Sequence, residues 1–134
     1  MGEELVFSCP KCGSRVGISQ GAFFRSAPTV QDVMGGEFGK RAADNLRRHP
    51  GENVFFRYDI YRCRCGVVRS KRIMEVYREG VVPWFPSEPP LWSNQGCRCP
   101  RCNRRMKETY NMPKRIRCSK CGSWMDVCDM IMFD

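Results

Sequence analysis

Long apolar runs are absent from this 134-residue sequence, and no segment approaches the roughly 20 apolar residues that a membrane-spanning helix needs. The first residues are acidic and contain no apolar stretch of the length found in signal peptides. We therefore expect a cytoplasmic protein in a reducing compartment, with no membrane partner.

Residues that commonly carry catalysis are also scarce. His49 is the only histidine, and no local motif supplies it with a nucleophile or a carboxylate partner. Gly35, Gly36 and Gly39 lack the preceding strand and the lysine of a phosphate-binding loop. We therefore expect a protein that is not an enzyme and takes no small-molecule substrate.

Cysteine, in contrast, is abundant, and eight of the ten cysteines fall into four tight pairs. The pairs are Cys9 and Cys12, Cys63 and Cys65, Cys99 and Cys102, and Cys118 and Cys121. A short gap lets both sulfurs turn to one face of a loop, and two such loops supply the four thiolates of a structural zinc site. In a reducing compartment these pairs are more typical of metal ligands than of disulfides, so the sequence predicts two Zn²⁺ sites.

The residues around these pairs resemble the zinc-ribbon family, whose pattern is Cys-Pro-x-Cys-Gly, a hairpin and a second cysteine loop. The chain shows Cys9-Pro-Lys-Cys12-Gly13 with Cys63-x-Cys65-Gly66, and Cys99-Pro-Arg-Cys102-Asn103 with Cys118-x-x-Cys121-Gly122. The resemblance implies a small, metal-stabilised, mostly β protein with two four-cysteine ribbons. In this arrangement the first two pairs share one ion and the last two pairs share the other.

Two positions depart from the family pattern. The Cys63 to Cys65 spacing is one residue shorter than usual, and Asn103 stands where the pattern has glycine. Asparagine visits the left-handed backbone region readily, so this second departure is tolerable. Zinc ribbons occur in transcription factors, polymerase subunits, ribosomal proteins, transposases and enzymes, so the resemblance leaves the function open. The four-cysteine shell also suits iron, as in rubredoxin-like electron carriers.

The order of the motifs predicts three segments. Residues 1–80 form a ribbon unit with an inserted helix over about 29–48, residues 81–96 form a linker rich in proline and tryptophan, and residues 97–134 form a basic ribbon unit. Apolar residues at every fourth position, from Val30 to Leu46, support the helix, with Thr29 as its N-cap and Pro50 after its end. Strands are predicted at 5–7, 54–62, 67–77, 110–117 and 124–133.

Two cysteines remain outside the pairs. Cys97 is an alternative ligand to Cys99, although Pro100 and the two-residue gap favour Cys99. Cys128 lies on the last predicted strand, where we expect a small buried apolar side chain. The alternative is that Cys97 and Cys128 bond to each other or join a further metal.

Positive charge is concentrated in the second predicted ribbon. The net charge is +9, and residues 97–121 hold nine basic residues and one acidic residue. The nine are Arg98, Arg101, Arg104, Arg105, Lys107, Lys114, Arg115, Arg117 and Lys120. Arginine forms paired hydrogen bonds with phosphate, and Tyr110 and Trp124 offer rings on which an unpaired base can stack. The alternatives are a basic surface that serves only solubility and one that binds an acidic protein partner.

These features predict a non-catalytic adapter. The basic second ribbon binds nucleic acid, DNA or RNA, and the first unit contacts a protein partner. Two alternatives stay open: a pure protein-interaction subunit of a larger assembly, and a rubredoxin-like electron carrier.

Overall fold

The computed structural model describes residues 2–22, 30–48, 53–82 and 85–133, and it is mostly β. Its strands are β1 (Gly2–Ser8), β2 (Arg15–Ala22), β3 (Asn53–Arg62), β4 (Val68–Tyr77), β5 (Trp92–Ser93), β6 (Lys107–Thr109), β7 (Arg115–Arg117) and β8 (Trp124–Phe133). Its helices are α1 (Val30–Met34) and α2 (Lys40–Arg48). Within these ranges, neither helix has the length and apolar character needed to cross a membrane.

The chain divides into two compact units. The cysteine unit comprises Met1–Ala22, Tyr58–Lys71 and Gly96–Asp134, and the helical unit comprises Phe23–Arg57 and Arg72–Gln95. Strands β3 and β4 each contribute residues to both units. Each unit is therefore built from segments that are separated in sequence. The sequence analysis instead expected three continuous segments, 1–80, 81–96 and 97–134.

Strand β1 lies at the centre of the cysteine unit. It pairs antiparallel with β2, from Gly2 opposite Gly21 to Ser8 opposite Arg15. Its other edge pairs with β8, and β7 in turn pairs with β8. Strand β6 pairs with the end of β3. The long β1–β8 pairing joins segments more than one hundred residues apart in sequence, and this pairing decides which cysteine loops meet.

An apolar cluster lies in the cysteine unit. Its buried members are Phe7, Cys9, Ile18, Ile60, Val68, Ile116, Cys118 and Met125. Two of them, Cys9 and Cys118, are candidate metal ligands, so the core and the ligand loops share side chains.

The strands predicted near residues 5–7, 54–62, 67–77 and 124–133 are confirmed as β1, β3, β4 and β8. The strand predicted over 110–117 is limited to Arg115–Arg117. Strand β2 was not predicted, because its sequence has two glycines and no clean alternation of apolar and polar residues. Pairing with β1 stabilises this segment as a strand, although its local sequence does not favour one.

The prediction of a single helix over about 29–48 is wrong. The segment forms two helices, because Gly36 and Gly39 have φ angles of 95° and 88°, which interrupt the helical backbone. Thr29 and Pro50, the expected start and end signals, lie outside the described residues. The apolar stripe is nevertheless used: Val33, Ala42 and Leu46 are buried in a cluster of Val33, Ala42, Leu46, Phe56, Met74 and Val76.

We expect Phe7→Ala to destabilise the cysteine unit by about 3–5 kcal/mol, because it empties a fully buried site in a continuous core. Phe85→Ala is the matched control, since Phe85 is 84% exposed and its loss should change stability by about 0.5 kcal/mol or less. Thermal unfolding of metal-loaded protein measures both. Equal losses in the two variants would contradict the assigned core.

Candidate metal centres and basic clefts

Each cysteine pair lies in a tight loop closed by the same two backbone hydrogen bonds. In the first loop the Cys9 amide donates to the Ser14 carbonyl and the Gly13 amide donates to the Cys9 carbonyl. The loops of Cys99 and Cys118 repeat this pattern at the same spacing. The shorter Cys63 loop keeps both bonds, but each spans one residue fewer: the Cys63 amide donates to the Val67 carbonyl and the Gly66 amide donates to the Cys63 carbonyl. The missing residue therefore tightens the turn without removing either bond.

The residue after each pair adopts the left-handed backbone conformation that the motif requires. The φ angles are 74° at Gly13, 97° at Gly66, 60° at Asn103 and 81° at Gly122. Asn103 is the only non-glycine residue with a positive φ among the residues that the structure describes. The expectation that asparagine is tolerated there is confirmed.

The four loops meet in two clusters, but not in the order of the chain. Cluster 1 contains Cys9, Cys12, Cys118 and Cys121. Cluster 2 contains Cys63, Cys65, Cys99 and Cys102. The expectation that Cys9 and Cys12 face Cys63 and Cys65, and that the last two pairs face each other, is therefore wrong. The β1–β8 pairing causes the difference, because it brings the loop after β1 beside the loop before β8.

The sulfur separations suit a tetrahedral thiolate site. In cluster 1 the Sγ atoms of Cys9 and Cys121 are 3.4 Å apart, and those of Cys12 and Cys118 are 3.6 Å apart. In cluster 2 the Sγ atoms of Cys63 and Cys102 are 3.3 Å apart, and those of Cys65 and Cys99 are 3.6 Å apart. In each cluster all four sulfurs lie within 4.8 Å of one another. A tetrahedron with Zn–S bonds of about 2.3 Å has edges of about 3.8 Å. Each cluster could therefore hold one metal ion.

The pKa values of the thiols in cluster 1 are shifted in opposite directions. The amide and hydroxyl of Ser123 lower the pKa of Cys121 to about 6, and hydrogen bonds from Ser14 lower the pKa of Cys12. The Cys12 amide acts to lower the pKa of Cys9, but burial and the neighbouring thiols raise it overall. Two thiols in contact cannot both ionise cheaply without a cation, so this donor set fits a bound metal ion.

Cluster 2 shows the same division. Burial acts to raise the pKa of Cys99, but the amides of Cys102 and Arg101 and the nearby thiols lower it to about 7. The Cys65 amide acts to lower the pKa of Cys63, yet burial and the neighbouring thiols raise it to about 12. Each cluster thus contains one cysteine with a lowered pKa, which ionises readily, beside a cysteine with a raised pKa, which ionises readily only next to a positive charge.

All four positions of such a site are filled by cysteine. A metal ion held there has no open position for water or substrate, so the arrangement can stabilise the loops but is unsuited to activating a nucleophile. All ten cysteines are free thiols.

The two unpaired cysteines lie outside both clusters. Cys97 is half-buried, and its thiol lies 3.6 Å from the Arg98 carbonyl oxygen. The expectation that Cys128 is buried is wrong. A register shift in the β1–β8 pairing leaves Cys128 without a partner on β1, and its exposed sulfur lies 3.5 Å from Nη2 of Arg15.

Two clefts on the cysteine unit are lined by basic residues and contain no carboxylate. The smaller, of about 160 Å³, is lined by four basic residues together with Ser14, Ser119, Pro100 and apolar side chains. Its basic residues are Arg15, Arg69, Arg117 and Lys120. Arg117 Nε is buried without a hydrogen-bond partner and is therefore a donor in need of an acceptor.

The larger cleft, of about 400 Å³, has an aromatic wall. Trp124 and Pro113 line it beside four basic residues, Arg62, Arg64, Lys114 and Arg115. The guanidinium carbons of Arg115 and Arg117 lie 5.3 Å and 5.0 Å from the centre of the Trp124 ring. Trp124 remains 42% exposed. Val68 lines both clefts, so the two are adjacent.

The nine basic residues singled out in the sequence are only partly brought together. Lys114 and Arg115 line the larger cleft, and Arg117 and Lys120 line the smaller one. The other five line neither of these clefts: Arg98, Arg101, Arg104, Arg105 and Lys107. Sequence reasoning missed Arg15, Arg62, Arg64 and Arg69, although Arg62 and Arg64 flank Cys63 and this position was a usable signal.

Comparisons with protein families, with curated proteins and with solved structures find no match to this chain.

Reciprocal double variants test which loops share an ion. Cys9→Ser with Cys121→Ser removes two ligands from cluster 1 alone, so we expect one of two Co²⁺ ions to be lost. Cys9→Ser with Cys63→Ser removes one ligand from each cluster, so we expect both sites to be impaired. The thiolate-to-Co²⁺ absorption band, titrated to saturation, measures the stoichiometry.

Sequential pairing gives the opposite result, since Cys9 and Cys121 would then belong to different sites. Cys128→Ser is the control, because it removes an exposed thiol outside both clusters and should leave both ions bound.

Proposed function

We propose that this protein is a zinc-stabilised, non-catalytic adapter that binds nucleic acid through the basic clefts of the cysteine unit. The pair of adjacent clefts lined by eight basic residues, with no carboxylate in either lining, is the observation that carries this proposal. Such a surface matches the charge of a phosphate backbone.

The distribution of charge between the units supports the same function. The cysteine unit holds fifteen basic and seven acidic residues, a net charge of +8, whereas the helical unit holds eight and seven, a net charge of +1. A charge needed only for solubility has no reason to collect in one unit. The cysteine unit therefore supplies the electrostatic attraction, and the helical unit is nearly neutral.

Zinc is the metal that we propose for both clusters, since four thiolates at tetrahedral spacing suit a structural Zn²⁺ site. The same ligands accept iron, and the two ions differ visibly because a ferric tetrathiolate site is red. Elemental analysis of the purified, colourless protein is expected to give two zinc ions per chain. A red protein containing iron would instead favour an electron carrier.

Removing charge from the smaller cleft should weaken binding to nucleic acid. For Arg69→Ala with Lys120→Ala we expect lower affinity and a salt dependence that is less steep by about one unit per lost phosphate contact. Fluorescence anisotropy with a labelled oligonucleotide over a salt series measures both quantities.

Arg41→Ala with Arg48→Ala is the matched control. It removes the same charge from exposed positions on α2 in the helical unit. An equal change in salt dependence in both double variants would show that net charge, rather than the cleft, determines binding. Metal content measured in parallel separates loss of binding from loss of fold.

We propose in addition a contact with a protein partner through an exposed apolar strand, β8, which lies in the predicted 97–134 unit, whereas the sequence analysis assigned this contact to residues 1–80. Val127, Met130, Ile131 and Met132 on β8 have 43%, 60%, 45% and 65% of their surface exposed. Strand β7 covers only the segment of β8 from Trp124 to Asp126. Exposed apolar side chains clustered on one strand are typical of interaction sites.

The contact surface is tested by affinity purification after nuclease treatment. A stoichiometric protein partner should be retained by the Arg69→Ala, Lys120→Ala variant and lost on Met130→Asp with Met132→Asp. Retention by both variants would place the contact elsewhere.

A further inference from the structure

The two clefts differ in chemistry, and the difference points to the form of nucleic acid that they accept. The smaller cleft offers four cationic side chains and the hydroxyls of Ser14 and Ser119. The larger cleft adds the Trp124 ring and Pro113 to its four cations. The first is suited to a phosphate group and the second to a planar ring with a phosphate nearby.

We infer that the clefts bind a single-stranded nucleic acid, with a phosphate in the smaller cleft and an unstacked base against Trp124 in the larger cleft. This inference rests on the proposed function and specifies its ligand class. Val68 lines both clefts, so the two groups sit side by side, as the base and phosphate of neighbouring positions on one strand do.

The exposed aromatic ring of Trp124 favours an unpaired base over a duplex. In a duplex each base is stacked on both faces and reaches outward only by its edges, so it cannot lie flat on a ring in a cleft. A single strand exposes its base faces, and stacking on an aromatic side chain is then independent of sequence. Arg115 and Arg117 lie over the same ring, so a base would stack on the part of Trp124 that they leave exposed, with positive charge beside it.

Arg117 connects the two clefts. Its guanidinium lies over Trp124, while its buried Nε has no hydrogen-bond partner. Arg117 also lines the smaller cleft, so its positive charge would lie beside a phosphate bound there. One arginine would thus attract the phosphate and contact the ring on which the base stacks.

The test compares a labelled oligothymidylate with a duplex of equal length, bound to the full metal-loaded chain at the same salt concentration. We expect tighter binding of the single strand. Trp124→Leu should weaken single-strand binding by about 5- to 150-fold, the range measured for loss of one base–aromatic stack. Trp124→Tyr keeps an aromatic face and should restore most of the affinity. Duplex binding should be nearly unchanged in both variants.

The outcomes separate this inference from the proposed function. Equal affinity for both nucleic acids, or an equal loss for both in Trp124→Leu, overturns the inference and leaves nucleic-acid binding intact. No binding of either probe overturns both. If Trp124→Leu fails to hold two metal ions, ultraviolet cross-linking of the unaltered protein decides. An adduct on the peptide that contains Trp124 supports the inference, and adducts confined to other peptides overturn it.

Discussion

The convergence of thiol groups from distant loops is the constraint on which the cysteine unit depends. Cluster 1 joins the loop after β1 to the loop before β8, and cluster 2 joins the β3–β4 loop to the loop before β6. Cys9 and Cys118 also belong to the apolar core. Because adjacent thiolates repel one another, a cation bound in each cluster would stabilise the same arrangement as the core around it.

The nested pairing of the cysteine loops, in which the first joins the last and the second joins the third, also determines which charged residues lie together. Arg15 and Arg69 come from the first half of the chain, whereas Arg117 and Lys120 come from the second, yet all four line one cleft. Two ribbons formed in chain order would have kept the basic residues after Cys97 apart from those near Cys12 and Cys63. The same long-range pairing that assembles the cysteine clusters therefore gathers basic residues that are widely spaced in sequence.

Local features of this fold were predictable, and long-range ones were not. The spacing of each cysteine pair specifies a loop, and the alternation in Phe56, Tyr58 and Ile60 specifies a strand, because both depend on neighbouring residues. Which loops share an ion depends on the β1–β8 pairing, which no local pattern encodes. Cys128 follows the same rule, since a bulge in that pairing, and not the composition of β8, exposes it. Gly36 was visible as a weak point of a helix, and its positive φ belongs to a local cap after α1, in which the Gly36 amide donates to the Val33 carbonyl and the Glu37 amide donates to the Asp32 carbonyl.

The metal clusters and the basic clefts are linked by the loops that build both. Pro100 lies between the ligands of cluster 2, and Ser119 and Lys120 lie between those of cluster 1, yet all three line the smaller cleft. A closed four-cysteine shell contributes no chemistry of its own, so its effect on a ligand is through the positions of these loop residues. Side chains held in place before binding lose less conformational entropy when a ligand arrives. If the clefts bind nucleic acid as proposed, metal ions bound in the two clusters would raise the affinity by ordering the walls of the smaller cleft.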